Sequence, residues 1–472
     1  MRKQRRKRAK KGEQQQITKA VTHIPLMETN PGKLAILDRL AHVFLALTQQ
    51  YVTLFCTEKM PDAFSAPCFV SELSERWHRV AIQQAAGIAK SWRTNREAAH
   101  QSYGDELAEY CEQKADGTLP EEAQEPKWRE WNVPTLREIC IQANANVVKL
   151  QPSEDSSFDY WLQISTLEFR KQLFVPVKLA EYHLKALTDP ETGQRRPINS
   201  SVTLNKRNGS WWLTLSYDEV VAVTTPPDAP VIGIDVGIAN FITTSDGKQY
   251  GTFHAKLRQR QKRDREKRRR KAKLRACLQK KGVPNDKLPS TTSRAGQRLA
   301  RQVKQSINRA VNLCYEEHEG YQFAYEQLSV ASMRFKARAQ NAYLRASQLG
   351  QIPAQIAWNA KKRGMSATRV KSAYSSQECS RCHYVDRANR PNQQTFCCVV
   401  CSFSCHADKN ASINIASRLH DEELQACKNR AEVKALLLRR HEQWKQKNSL
   451  VVVQAPIQLD LWACSEISTD VG

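Results

Sequence analysis

Six of the chain's cysteines fall within 27 residues, and four of them form two Cys-x2-Cys pairs, Cys379/Cys382 and Cys398/Cys401, with fifteen residues between. Each pair can turn both sulfurs toward one ion. Two pairs at this spacing supply the four thiolates of a tetrahedral zinc site. Four protein ligands leave no open position, so such an ion is structural, and so short a segment needs it to fold. Cys397, Cys405 and His406 stand alongside, and Cys405 or His406 could replace one ligand. Three acids form a second candidate set. Asp235 closes the apolar run Val231–Asp235, and Val236-Gly237 follows it. Glu326 follows the apolar aromatic stretch Tyr321–Tyr325, and Asp408 stands at the start of a helical segment after His406-Ala407. Taken singly, each acid reads equally well as a turn or helix-start residue. Brought together, they would repel one another unless divalent cations lay between them. Two Mg2+ ions about 4 Å apart in such a cluster could activate water and stabilise the leaving oxygen of a phosphodiester.

The composition points to the same partner class. The 472 residues carry 73 Lys+Arg against 48 Asp+Glu, a formal +25. Residues 1–12 hold eight positive charges and no negative one, and residues 256–275 hold thirteen positive and two negative; together they supply +19 of the excess. The second run has no Gly or Pro and reads as a helix, but it lacks an apolar stripe. A helix this self-repelling asks for a polyanion, with counterion release as the driving force. Arg263, Arg265, Lys267, Arg268, Arg269, Arg270 and Lys271 are the candidate phosphate contacts. The first run reads as a nucleic-acid arm. No apolar run reaches 18 residues and none follows the basic start, so neither a membrane span nor a secretory signal is expected. Fourteen cysteines, six of them clustered, do not make a disulfide framework.

Several elements must position these residues. A strand is expected at 15–27, helices at 32–58 and 70–98, a polar loop with short helices over 99–135 and a helix at 134–149. Strands are expected at 158–166, 168–176, 197–206 and 211–219, with Asn208-Gly209 as a hairpin turn. After the linker 224–230, two or three antiparallel strands precede the basic helix. A loop (277–295), a helix (296–318), a strand (321–325) and broken helices (332–364) come next. Helices at 408–418 and 421–448 and a short strand at Val451–Val453 complete the reading.

The motifs Gly233-Ile234-Asp235-Val236-Gly237, Tyr325-Glu326-Gln327-Leu328, Cys379-x2-Cys382, Phe396-x-Cys398-x2-Cys401 and Ala407-Asp408-x-Asn410-Ala411, in this order, resemble the TnpB family. These are transposon-encoded RNA-guided nucleases related to the compact type V CRISPR effectors of the Cas12 group. The resemblance covers roughly 200–418. It implies a multidomain α+β chain: a wedge β-barrel with a helical recognition insertion, then a RuvC-like (RNase H-like) α/β nuclease domain with an inserted zinc ribbon. The implied boundaries are a basic arm at 1–14, the wedge at 15–224 with its insertion at about 30–150, and the first nuclease part at 225–376. The ribbon then takes 377–406, the last nuclease part 407–454 and a tail 455–472. The resemblance also implies that Asp235, Glu326 and Asp408 hold two Mg2+ ions and that Cys379, Cys382, Cys398 and Cys401 hold one Zn2+. The implied partners are a guide RNA, either an omega-type RNA or a crRNA, and a target DNA chosen by pairing beside a short motif. Arg381, in the first knuckle, is expected to help lead single strands to the acids. The implied setting is cytoplasmic and nucleoid-associated in a prokaryotic host. Gln327, Ser402, Cys405 and His406 depart from the family's usual residues. They leave open a second reading, an RNA-guided DNA-binding protein with weak or no nuclease activity.

Overall fold

The computed structural model of the chain describes residues 14–448, apart from 27–28, 58–68, 116, 118–123, 129, 155, 208, 253, 285–286, 290–293 and 327–337. The basic arm up to residue 13, Gln327, the strand expected at Val451–Val453 and the tail lie outside the described residues.

The chain opens with β1 (Gln14–Pro25), α1 (Pro31–Thr57) and α2 (Glu75–Ala115). Asn30 starts α1: its side chain accepts the Gly32 N–H at 2.8 Å, and Pro31 takes the first helical position, where no N–H is needed. By length and composition α1 could cross a membrane. Its apolar residues at three- and four-residue spacing, including Leu37, Leu40, Phe44, Leu47, Tyr51 and Phe55, are instead buried in a core shared with α2 and the neighbouring strands. Helix α2 runs through part of the stretch expected as loop and is tied to the strands by Trp77, whose indole N–H donates to the Ser165 carbonyl at 3.0 Å.

Next come β2 (Cys140–Ala143), β3 (Val148–Pro152), β4 (Tyr160–Ser165), β5 (Gln172–Val177), α3 (Glu181–Leu187), β6 (Val202–Arg207) and β7 (Ser210–Ala222). The helix expected at 134–149 is not formed. Ile141 and Ala143 are buried while Gln142 between them is exposed, and β2 pairs antiparallel with β6, Cys140 opposite Asn205. The expected wedge β-barrel is also corrected. Strands β1-β7-β6-β2 form one open antiparallel sheet and β3-β4-β5 another, and neither closes on itself. The reason lies in the core: α1 and α2 cover the apolar surface that closure would otherwise bury, and the four-residue β2 is a short edge.

The second half builds a five-stranded sheet from β8 (Val231–Asp235), β9 (Asn240–Thr244), β10 (Gln249–Thr252), β11 (Gln322–Glu326) and β12 (Ala367–Val370), in the order β10-β9-β8-β11-β12. Strands β8, β9 and β10 are antiparallel; β11 runs parallel to β8 and β12. Helices α4 (His254–Lys280) and α5 (Arg294–Glu317) separate β10 from β11, and α6 (Arg338–Ser347) and α7 (Ile352–Arg363) precede β12. After β12 come the hairpin β13 (Thr395–Cys397) and β14 (Ser404–His406), then α8 (Ala407–Ser417), α9 (Glu422–Ala426) and α10 (Arg430–Asn448).

The central strands are apolar on both faces because each face is covered. Ile232, Ile234, Phe323 and Tyr325 pack with α5 and α7, whereas Ala324 packs with Ile415 of α8. Gly233 permits the second contact: a Cβ there would lie 2.0 Å from the Ser412 carbonyl oxygen. Gly364 joins the two halves. It ends α7 with φ +69°, a Cβ would meet the Ala222 carbonyl at 1.8 Å, and its own carbonyl accepts the Thr224 N–H at 2.8 Å.

Candidate functional site

Strand pleat and register decide where the acids point. On β8 and β11 side chains alternate between faces, so Asp235 shares the face of Gly233 and Glu326 that of Ala324, the face covered by α8. The strands are parallel with Ile234 level with Tyr325, which puts Asp235 and Glu326 side by side at the C-terminal edge. Asp408 approaches from above, in the first turn of α8. Its N–H donates to Nδ1 of His406, the residue that begins the helix.

The surroundings load these carboxyls unequally. Glu326 is buried, and burial pushes its carboxyl up to about 7; the Val236 N–H, donating at 3.0 Å, works against that, and the Asp408 charge adds to it. Asp235 keeps some solvent contact, yet the packed protein around it, and then Glu326 and Asp408, hold its carboxyl well above the usual range. The Arg390 guanidinium opposes this rise and donates to Asp408 Oδ1 at 3.2 Å. Carboxyls that resist ionising first because they are buried, and then because other acids lie near, fit a divalent cation, whose charge would offset both.

The four cysteines converge more tightly. Among the described residues, Cys379, Cys382, Cys398 and Cys401 are the set of three or more ligating side chains whose donor atoms all lie within 4.8 Å of one another. The three acids are not drawn together to that degree. The sulfurs of Cys379 and Cys401, and of Cys382 and Cys398, are 3.6 Å apart. A tetrahedron with metal–sulfur bonds of about 2.3 Å has edges of about 3.8 Å, so the cluster is sized for a metal ion. Hydrogen bonding from Cys379 and Cys382 holds the Cys398 thiol well below its ordinary range. Cys397 is exposed on β13, Cys405 is directed to the His406 carbonyl, and His406 caps α8; none joins the four.

A polar stripe on α8 connects the two centres. Asn410, Asn414 and Arg418 recur every four residues and are buried. Asn410 and Asn414 both donate to the Glu378 carbonyl, at 2.7 and 2.8 Å, and Ser380 N–H donates back to Asn410 Oδ1. Arg418 donates to Glu378 Oε2 at 2.6 Å and to the carbonyls of Lys371 and Ala373. Glu378 immediately precedes Cys379. The helix that carries Asp408 is therefore bolted to the first cysteine knuckle. Only Asn410 entered the sequence motifs; the i, i+4, i+8 spacing was the signal for the other two, and Arg390 had none.

Helix α4 places its cations outward. Arg263, Arg265, Lys267, Arg268, Arg269, Arg270 and Lys271 are exposed, while Leu257 and Asp264 are buried against α5 and α6. Arg381 is exposed at the cysteine knuckle.

A cysteine-rich module is fastened to a mixed sheet by a helix that also carries an acid, and sequence comparison shows what parts of this arrangement are similar to. Residues 350–415 match the family model "Cas12f1-like, TNB domain". Over 256 residues the chain is 25% identical to InsQ of Escherichia coli (strain K12), whose assigned name proposes an RNA-guided DNA endonuclease; this covers 49% of the chain and 61% of InsQ. Over 62 residues it is 37% identical to the CRISPR-associated endodeoxyribonuclease Cas12f1 of Sulfoacidibacillus thermotolerans, covering 13% of the chain and 15% of that protein. The chain thus spans less than two thirds of either bacterial relative. The solved structure of CasPhi-2 (Cas12j) bound to crRNA aligns with 85% of the chain and 98% of its own length, at 11% identity and a TM-score of 0.41. Residues 350–415 are thus similar to the Cas12f1-like TNB domain, and about half of the chain is similar to InsQ.

Proposed function

We propose that this chain is an RNA-guided DNA endonuclease, hydrolysing phosphodiester bonds in DNA selected by pairing with a guide RNA, of omega or crRNA type, beside a short recognition motif. The observation that supports the reading is that Asp235 and Glu326 lie side by side at one sheet edge, near enough to Asp408 of α8 for the three charges to act on one another. The names of the two sequence relatives support the reaction class.

In this reading the three acids would hold two Mg2+ ions, which when bound supply an activated water and charge neutralisation at the scissile phosphate. The chain's own residues do the positioning. The Val236 N–H fixes one Glu326 oxygen. Arg390 orients Asp408 and brings a positive charge to where a phosphate must enter. The four cysteines would hold Zn2+, which keeps the knuckle that Asn410, Asn414 and Arg418 grip. The exposed cations of α4, and Arg381, would bind phosphates of the guide and target, so changing them should weaken binding and flatten its salt dependence. The cell setting that follows is the DNA-bearing interior of a prokaryote.

The test is direct. The protein is purified with its RNA, the RNA is sequenced, and the complex is incubated with matching DNA in Mg2+ or EDTA. Mg2+-dependent cuts that vanish in Asp235→Ala are expected. Guided binding without cuts by the parent protein would transfer the chain to the binding-only reading.

A further inference from the structure

A large cleft among the described residues lies away from the acids. It has a volume of about 930 Å³ and is bounded by α4, α5 and α6. Arg258, Lys262, Arg265, Arg268 and Arg345 line it. So does one carboxylate, Asp264, which is 8% exposed. Its Oδ2 pairs with Arg268 at 2.7 Å, but its Oδ1 is buried with no hydrogen-bond partner among the described residues. A buried charged acceptor normally finds a donor. The Tyr343 ring forms part of the wall, with the Arg258 guanidinium 5.6 Å from its centre. Gly296, in the first turn of α5, lets that helix approach: a Cβ there would lie 3.1 Å from Arg268 Nη2 and 3.4 Å from Asp264 Oδ2.

Phosphate alone does not account for this lining. An anion suits the five cations and is repelled by Asp264. A ligand that suits both carries negative charge at one end and a hydrogen-bond donor at the other, with a flat body able to lie along an aromatic and guanidinium wall. A nucleotide has those three parts. A base with an exocyclic amino group can donate to a carboxylate oxygen, whereas the N3–H of uracil is flanked by two acceptor oxygens that a carboxylate repels. The cleft is open along one side, so a nucleotide need not leave its strand to enter it.

Resting on the reading that the chain binds nucleic acid, we propose that the α4–α5–α6 cleft receives a single base swung out of a bound strand, its amino group donating to Asp264 Oδ1 and its flanking phosphates lying on the surrounding arginines. The strand is the guide RNA or a single strand of the target DNA. The two offer the same chemistry, and separate arms of the test tell them apart.

A charge argument makes the test sharp. If Asp264 serves only as the i, i+4 partner of Arg268, Asp264→Asn removes a negative charge from the most basic segment. Every polyanion should then bind as tightly or more tightly. If Asp264 holds a base, the same change should weaken the cognate strand by about tenfold, the weight of a hydrogen bond to a charged group, with no such loss for oligo(U) of equal length. The full chain, freed of RNA and refilled, would be titrated with its co-purified RNA, with matching single-stranded DNA and with oligo(U). Ala300→Trp, which fills the cleft from an exposed wall position and removes no charge, should reproduce the selective loss and decides the matter if Asp264→Asn does not fold. Loss confined to the RNA arm assigns the base to the guide; loss confined to the DNA arm assigns it to the target. Equal or tighter binding of all three strands by both variants overturns the cleft assignment. Failure of the parent chain to bind any strand overturns the nucleic-acid reading instead.

Discussion

Arg390 Nη2 lies 3.2 Å from Asp408 Oδ1, and its second contact, at 3.0 Å, is the Gln393 carbonyl. The pair spans two modules: Arg390 precedes the hairpin of the cysteine-rich segment, and Asp408 begins the helix that covers the sheet. A guanidinium there is a monovalent counter-cation for a cluster of three acids.

A divalent cation and Arg390 should therefore draw on the same carboxylate. In Arg390→Ala Asp408 loses the arginine paired with it, and Mn2+, a stand-in for Mg2+, should bind about fivefold more tightly, the weight of a ~1 kcal/mol ion pair. Mn2+ titration of the RNA-free protein followed by electron paramagnetic resonance measures this without reference to cleavage. Unchanged affinity would show that the arginine and the ion do not share Asp408.

Glu326 makes metal-free stability pH-dependent, and the sign is fixed. Its carboxyl titrates near 4.5 in an unfolded chain and is raised to about 7 here, first by burial. Between these values the folded state holds the extra proton, so stability present below about 4.5 is lost as pH rises through about 7, by at most ~3 kcal/mol. Asp235 shifts in the same direction. In EDTA the melting temperature should fall from pH 5 to pH 8, and Glu326→Gln should flatten that fall and melt higher than the parent at pH 8. Mg2+ should restore the parent at pH 8 more than at pH 5. A parent that melts higher at pH 8 than at pH 5 in EDTA would refute the burial argument.

Sulfur geometry separates ligands from bystanders. Cys379→Ser or Cys398→Ser should remove the bound metal, read as zinc per chain by elemental analysis, and should destabilise the module, since a structural zinc site contributes ~10 kcal/mol or more to folding. Cys397→Ser and Cys405→Ser should keep the full metal content, because neither sulfur belongs to the cluster. Loss of metal in Cys405→Ser would revise the ligand set.

Elements with strong periodicity were legible from the sequence. The stripe of α1, the uninterrupted α4, the alternation in β4 and β7 and the apolar core of β8 all point one way locally, and they formed near the expected boundaries. The cysteine foursome was legible because a ligand set of this kind is local in sequence. Two kinds of feature were not. Residues 134–149 carry apolar residues that suit a helix or a strand, and pairing with β6, more than fifty residues away, chose the strand. Closure of a sheet depends on what else covers its apolar surface, and here residues of α1 and α2 share the strands' core, so the family-level expectation of a barrel gave way to two open sheets. Arg390 and Arg418 belong to a third kind. Arg390 carries no spacing signal at all, Arg418 only the i, i+4, i+8 spacing it shares with Asn410 and Asn414, and the importance of each appears only when the fold brings a carboxylate to it.

The buried pair Arg418–Glu378 is where the link between the two centres can be measured. Arg418 is 1% exposed and Glu378 3%, and Glu378 Oε1 also meets His383 Nδ1 at 2.9 Å. Removing one partner strands the other charge, so Arg418→Met alone should cost about 3–5 kcal/mol. The double variant Arg418→Met/Glu378→Leu should recover much of that loss, because no buried charge remains and both replacements are apolar and of similar length. Denaturant unfolding of the four proteins gives the coupling energy. The double variant keeps the backbone carbonyl of residue 378 for Asn410 and Asn414, and so should still bind metal at the cysteines. If the grip on the knuckle orients Asp408, the single variant should also bind Mn2+ at the acids more weakly while its zinc content holds. Additive stability losses together with unchanged Mn2+ affinity would mean that the pair is a local filler, and that the cysteine module and the acids are independent.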